Sequence, residues 1–196
     1  MAAERAGGND RGVLGLVRPE ILSLPGYVPV EPPDLLAEKL GISRERIAKL
    51  DANENPFGPA PKALAALARF RDYHIYPDPD QLSLRQALAR HLHLPFECIV
   101  ASAGSDELIQ IIASMFVGPG DKVIDLVPTF GMYAFEADVA GGKSVPVQRR
   151  ADYSVDVAAV AERLDARTKL IFATSPNNPT ANLLSRDELT ALLDLG

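Results

Sequence analysis

The chain has 196 residues, 47% of them hydrophobic, and a formal net charge of −6. That is enough apolar material for a sizeable core in one domain or a little more, and it is the wrong sign for a protein whose main partner is nucleic acid. One cysteine, Cys98, excludes an internal disulfide and fits a reducing compartment; with only three histidines there is no metal cluster to assemble. No apolar run reaches the ~18 residues of a membrane span, and the opening MAAERAGGNDRG lacks the apolar region of a signal peptide. A cytoplasmic protein is expected.

In chain order, residues 1–12 read as a disordered tail, and the domain division carries that tail to residue 17. From Arg18 to Pro33, RPEILSLPGYVPVEPP holds five prolines, so this arm should run extended with turns and form neither a regular helix nor a central strand. Asp34 can cap a short helix through Leu40, with Gly41 as its stop. The loop KLDANENPFGPAP at 49–61 is rich in residues that rigidify turns. A helix over 62–70 follows, with Ala63, Leu64, Leu67 and Phe70 inward. Tyr76 is displayed between prolines in HIYPDPD, and 81–92 is helical again, with the three histidines taken as surface or half-buried residues.

From there strand and helix alternate: strand 98–101 and helix 106–117, strand 122–127 and helix 131–140, strand 143–147 and helix 156–164, strand 169–173 and helix 186–195. Apolar, β-branched runs separated by Gly-Pro-Gly-Asp at 118–121 and Gly-Gly at 141–142 carry this reading. The order predicts an α/β fold, a mostly parallel sheet with helices on both faces.

Ligands of such sheets sit outside the carboxyl ends of the strands, and three loops there carry unusual residues. SAGSDELIQIIASMF at 102–116 is a small-residue turn opening a helix whose Leu108, Ile111, Ile112 and Met115 recur at helical spacing. Either Ser105 or Asp106 caps its first turn, or the open amides and the macrodipole hold a phosphate. Pro128-Thr129-Phe130 places an aromatic ring past a strand end, and in Ser175-Pro176-Asn177-Asn178-Pro179-Thr180 the second proline keeps Asn178 out of the helical region. Singly these are a cap, a core phenylalanine and an Asx turn. Together they suit a ligand with a phosphate, an aromatic ring and a ring hydroxyl.

The stretches RPEILSLPGYVP, LDANENPFGPAP, YPDPDQLSLRQALA, AGSDELIQIIASMFVGPGDKV, PTFGMYAFEADVAGG and SPNNPT, in that order from residue 18, resemble the N-terminal half of a class I/II pyridoxal-phosphate aminotransferase of fold type I, nearest the histidinol-phosphate branch. The resemblance implies an arm and the start of a small domain over 18–60, and the first half of the cofactor-binding large domain over 61–196. It implies that Gly104, Ser105 and Asp106 bind the phosphate of pyridoxal 5'-phosphate, that Phe130 stacks on its ring and that Asn178 donates to the ring hydroxyl oxygen. Tyr76 would reach the phosphate bound by the neighbouring subunit of a homodimer, and Tyr27 and Asn53 would line the substrate end. The substrates implied are histidinol phosphate and glutamate or 2-oxoglutarate; no nucleic acid, membrane or metal enters. One departure is Ala181, where the family usually has glycine after Asn-Pro-Thr: if the position needs φ > 0, alanine strains the loop.

The family's chemistry needs a Schiff-base lysine. Lys122, Lys143 and Lys169 start strands, roughly 15–20 Å from the carboxyl edge at ~3.3 Å per residue. Lys39, Lys49 and Lys62 lack the family's lysine context. No catalytic residue is therefore assigned, and the chain is expected to be an incomplete, truncated aminotransferase, inactive alone. The alternatives are a non-catalytic remnant that binds the cofactor weakly, an aromatic aminotransferase, or a pyridoxal-dependent decarboxylase of the same fold.

Overall fold

The computed structural model describes residues 12–24 and 30–196; Tyr27 and most of the expected tail lie outside them. The chain divides into two compact units, Pro25–Leu84 and the remainder, Met1–Leu24 with Arg85–Gly196. The limit between these units lies between Leu84 and Arg85. Residues Gly12–Leu16 form a 3-10 helix, so the irregular tail does not extend to residue 17. Pro19–Leu22 forms one helical turn, α1, against the expectation of no helix in the arm; Pro19 at the first helical position explains it, because that N–H has no intrahelical partner to lose.

In the smaller unit, α2 (Pro33–Leu40) starts one residue early. Pro33 opens it without any side-chain cap, and Asp34 instead pairs with Arg44 at 2.9 Å. Gly41 ends it in the left-handed conformation at φ 63°. The helix α3 spans Pro61–Arg69. Its expected inward stripe is not buried: Leu64, Leu67 and Phe70 remain about half exposed, and the Phe70 ring lies edge to face with Tyr73 at 4.9 Å. The helix α4 (Leu82–Leu92) crosses the limit between the units.

The larger unit continues with α5 (Ser105–Phe116), β1 (Lys122–Val127), α6 (Met132–Val139), β2 (Lys143–Gln148), α7 (Val157–Ala161), β3 (Thr168–Phe172) and α8 (Arg186–Leu193). The strands form one all-parallel sheet in the order β2-β1-β3. The period-2 alternation of β1 splits its side chains between two cores. Ile124 and Leu126 pack with Val147, Val155, Val160 and Leu192 on the α7/α8 side, while Val123 packs with Val117, Ala137, Leu170 and Phe172 on the α5/α6 side. Helices cover both faces, as the alternation predicts.

One expectation is corrected. Residues 98–101 do not form a strand. Phe96–Cys98 is a 3-10 turn, and Ile99, although extended at φ −105° and ψ 121°, gives its carbonyl to Arg85 Nε at 2.8 Å. A strand requires a ladder partner, and a guanidinium has taken that place. The buried side of α5 is Ile109 and Ala113, followed by Val117; Ile111, Ile112 and Met115 are exposed. The small side chain of Ala113, 1% exposed, permits the close approach that the larger residues of the other stripe would prevent.

The ends of α5 and α6 meet at one point. A Cβ on Gly142 would lie 2.3 Å from Val117 Cγ1, so this glycine is required for close approach. Each of the two helices leads into the amino end of one of two parallel strands, and they pack on each other. They therefore run side by side, and both begin at the carboxyl edge of the sheet. In front of them, α1 packs on α6, and the Arg18 guanidinium donates to the carbonyl of Val139 in its last turn.

Candidate cofactor site

The carboxyl edge carries the three loops singled out in the sequence. In the first, Gly104 occupies the N-cap of α5 at φ 110° and ψ 170°, and no side chain caps the helix. Of the two sequence readings, the structure favours open first-turn amides. A Cβ on Gly104 would meet nothing within 4 Å, so the turn faces open space. Side chains brace it from behind: Ser102 Oγ donates to the Gly104 carbonyl at 2.6 Å, and the Ala103 amide donates to Glu107 Oε2 at 2.6 Å. Ser105 and Asp106 are exposed in the first turn. Burial raises the pKa of the Glu136 carboxyl on α6, and the Asp106 charge adds to the rise, which places the start of α5 within electrostatic reach of α6.

In the second loop, Phe130 is half-buried and lies edge-on to Tyr133 at 5.9 Å. Tyr133 stacks on Phe172 of β3 at 4.5 Å and 15°, and its hydroxyl accepts from Thr174 Oγ1 at 2.9 Å. The position of Phe130 is thus set by a ladder of rings reaching the end of β3.

In the third loop the buried asparagine is Asn177, 2% exposed, while Asn178 is half-buried beside it. Thr129 Oγ1 donates to Asn177 Oδ1 at 2.6 Å, and Asn177 Nδ2 donates to the Pro128 carbonyl at 2.9 Å and to Thr180 Oγ1 at 2.7 Å. Thr180 in turn donates to Asn182, whose amide reaches the Tyr153 carbonyl at 3.0 Å. Every polar atom of the Asn177 side chain is used, which makes the network stiff. The Val127–Pro128, Ser175–Pro176 and Asn178–Pro179 peptides are cis. Ala181 does adopt φ 59°, the strained conformation foreseen from its departure from glycine, and its amide closes the turn onto the Asn177 carbonyl at 2.7 Å.

The turn at Gly104–Asp106 and the loops bearing Phe130 and Asn178 thus share one edge. The open amides, a ring and a side-chain amide are a donor set that fits a phosphorylated hydroxypyridine. Lys122 and Lys143 are the first residues of β1 and β2, and Lys169 is the second of β3, at the opposite edge. In the smaller unit, Asn53 takes φ 52° in a loop bridged by Lys49, whose Nζ lies 3.0 Å from Asp51 and 3.3 Å from Glu54. Tyr76 is 95% exposed; the following Asp78 accepts from the amides of Asp80 and Leu82, which fixes the backbone that displays it. Tyr27 falls outside the described residues.

The family model for aminotransferase class I and II matches residues 45–195. The chain belongs to that aminotransferase family. This class I/II aminotransferase chain is 49% identical over 189 residues to a histidinol-phosphate aminotransferase of Roseiflexus castenholzii, covering 93% of this chain and 51% of the relative. It is 44% identical over 180 residues to a chloroplastic histidinol-phosphate aminotransferase of Nicotiana tabacum, covering 91% and 44%. Among solved structures it superposes on histidinol-phosphate aminotransferase from Sinorhizobium meliloti, in complex with pyridoxal-5'-phosphate, with a TM-score of 0.77 and 28% identity over 91% of this chain and 47% of that one. The fold is that of fold type I aminotransferases, and the chain spans about half the length of the curated relatives it matches. Among the described residues no helix is long and apolar enough to cross a membrane.

The sequence reading missed Asn177, Thr129 and Tyr133. An Asn-Asn pair does not say which member is buried, and the uneven spacing of Asn177, Thr180 and Asn182 does not mark them as partners.

Proposed function

We propose that this chain supplies the cofactor-holding part of a pyridoxal-phosphate-dependent aminotransferase that exchanges an amino group between histidinol phosphate and 2-oxoglutarate. The reading is supported above all by the uncapped start of α5 lying on the same sheet edge as the loops of Phe130 and Asn178. Pyridoxal phosphate, when bound, supplies the electron sink for amino transfer. The amides of Gly104, Ser105 and Asp106 would hold its phosphate at the positive end of the helix. Phe130 would lie against the ring and exclude water from one side, and Asn178 would orient the ring by donating to its hydroxyl oxygen. Tyr76 would reach the phosphate held by a second copy of the chain in a homodimer. Tyr27 and Asn53 would orient the substrate. The compartment proposed is the cytoplasm.

The placement of the lysines supports a second reading, in which this polypeptide binds the cofactor without turning over substrate. Borohydride reduction of the chain in pyridoxal phosphate tests it: peptide mapping should find no stoichiometric adduct at Lys39, Lys49, Lys62, Lys122, Lys143 or Lys169. In a polypeptide that also carries the region matching the rest of the relatives, half-reaction rates should be higher with histidinol phosphate than with phenylalanine. The reverse preference would make it an aromatic aminotransferase.

A further inference from the structure

The hydrogen bond from Thr129 Oγ1 to Asn177 Oδ1, 2.6 Å long, joins the residue before Phe130 to the residue before Asn178. We propose that Thr129 and Asn177 are positioning residues that set the spacing between the ring-stacking and ring-oxygen contacts, so that the plane and the hydroxyl of a 3-hydroxypyridine ligand are recognised as one unit. This rests on the cofactor reading above and adds to it the device that registers the two contacts.

Three features carry the inference. First, Asn177 is 2% exposed, and its amide donates to the Pro128 carbonyl and the Thr180 hydroxyl, so it grips the β1 loop through both Pro128 and Thr129. Second, the two loops leave neighbouring parallel strands, β1 and β3, whose ladder stops before either residue; beyond it, this side-chain bridge takes over the work of the backbone pairing. Third, Phe130 is braced independently against the same strand through Tyr133 and Phe172. With that brace in place, loss of the bridge frees the Asn178 loop relative to the ring rather than both together. A contact displaced by a fraction of an ångström loses hydrogen-bond strength while dispersion contacts persist. The bridge should therefore act on the hydroxyl more than on the phosphate.

The test uses the 196-residue chain and pyridoxine 5'-phosphate, which carries the ring, hydroxyl and phosphate but no aldehyde to react with surface lysines. Binding is followed by the ultraviolet absorbance of the ring, whose pH midpoint reports ionisation of the 3-hydroxyl; inorganic phosphate is titrated in parallel. A donor to the ring oxygen holds that midpoint below its value in free ligand. Thr129→Val should weaken pyridoxine phosphate about tenfold, the scale of one well-placed hydrogen bond, and move the bound midpoint upward toward the free value. Affinity for inorganic phosphate should not change. Thr129→Ser, which keeps the hydroxyl, should restore both ring readouts. Equal loss of inorganic phosphate and ring ligand in Thr129→Val would show a merely structural role and reject the proposal, as would an unchanged midpoint. If Thr129→Val does not fold, Thr129→Ala, which also removes the hydroxyl, decides: a raised midpoint with unchanged affinity for inorganic phosphate supports the pairing, and a wild-type midpoint rejects it. Failure of the wild-type chain to bind pyridoxine phosphate refutes the cofactor reading itself, and this inference with it.

Discussion

Asp125 in β1 and Arg149 just past β2 are both buried, at 3% and 8% exposure, and each keeps one polar atom, Oδ1 and NH2, without a hydrogen-bond partner. The guanidinium is otherwise committed, with Nε on the Leu126 carbonyl at 3.0 Å and NH1 on the Tyr153 carbonyl at 3.2 Å. Burial pushes the Asp125 carboxyl from 3.8 up to about 6, and the Arg149 charge pulls it only partly back.

The consequence is a fall in stability with rising pH. Between about 4 and 6 the folded chain holds a proton at Asp125 that the unfolded chain has released, so stability drops across this window and stays lower above it. The difference is on the order of 2 kcal/mol after allowance for screening. Urea midpoints measured from pH 5 to 7.5 should fall in the wild type. In Asp125→Asn they should be flatter, and higher at pH 7.5.

Relief of the Ala181 backbone should stabilise the loop after β3. At φ 59° an alanine bears about 1–2 kcal/mol that glycine does not, offset by about 0.4–1 kcal/mol from the freer unfolded chain. Ala181→Gly should therefore raise the thermal midpoint by a few degrees. A lower midpoint would mean that the Ala181 methyl makes contacts outweighing the strain.

Gly104 should resist replacement for the opposite reason. At φ 110° and ψ 170° it occupies a region essentially closed to residues with a Cβ. Space is not the obstacle, since a Cβ there meets no atom. Gly104→Ala should cost roughly 1–3 kcal/mol, or turn the peptide and reorient the first amides of α5. The first outcome should lower the thermal midpoint alone and the second should reduce phosphate affinity in a calorimetric titration, while Gly131→Ala, where a Cβ also meets nothing, should leave that affinity unchanged.

The capping box of α8 should contribute to the acid limb of stability. Glu188 Oε2 accepts from the Ser185 amide at 2.8 Å, Oε1 accepts from the Val155 amide at 2.6 Å, and Ser185 Oγ accepts from the Glu188 amide. Hydrogen bonding from Ser185, then from Val155, holds the Glu188 carboxyl below its usual range. Its contribution is present above that range and is lost as pH falls through the depressed value, the reverse of Asp125. Ser185→Ala should cost about 1 kcal/mol, and Glu188→Gln should make the loss on acidification smaller.

The parts of this fold that read directly from the sequence are those governed by local pattern. The β-branched runs read at 122–127, 143–147 and 169–173, the first two preceded by glycine breaks, became β1, β2 and β3 to within one residue at either end, because alternation and turn chemistry act over a few residues. The segment at 98–101 has the same composition but lacks a neighbour to pair with, and pairing is not a local property. Helix α5 was legible from the helical spacing of Leu108, Ile111, Ile112 and Met115, but that spacing does not mark Ala113, which the fold leaves only 1% exposed. Within the site, Gly104, Phe130 and Asn178 stood out because unusual residues past strand ends have few structural reasons to be there. Thr129 and Asn177 did not, because a polar bridge across 48 residues leaves no periodic trace.

The grip of Arg18 on the last turn of α6 gives the molecule a mechanical order. Arg18 holds the end of α6 farthest from Phe130, so proteolytic removal of the residues up to Arg18 would release the last turn of α6 first. The aromatic ladder and the asparagine bridge lie a helix length away and would keep their shape through the early stages of such digestion.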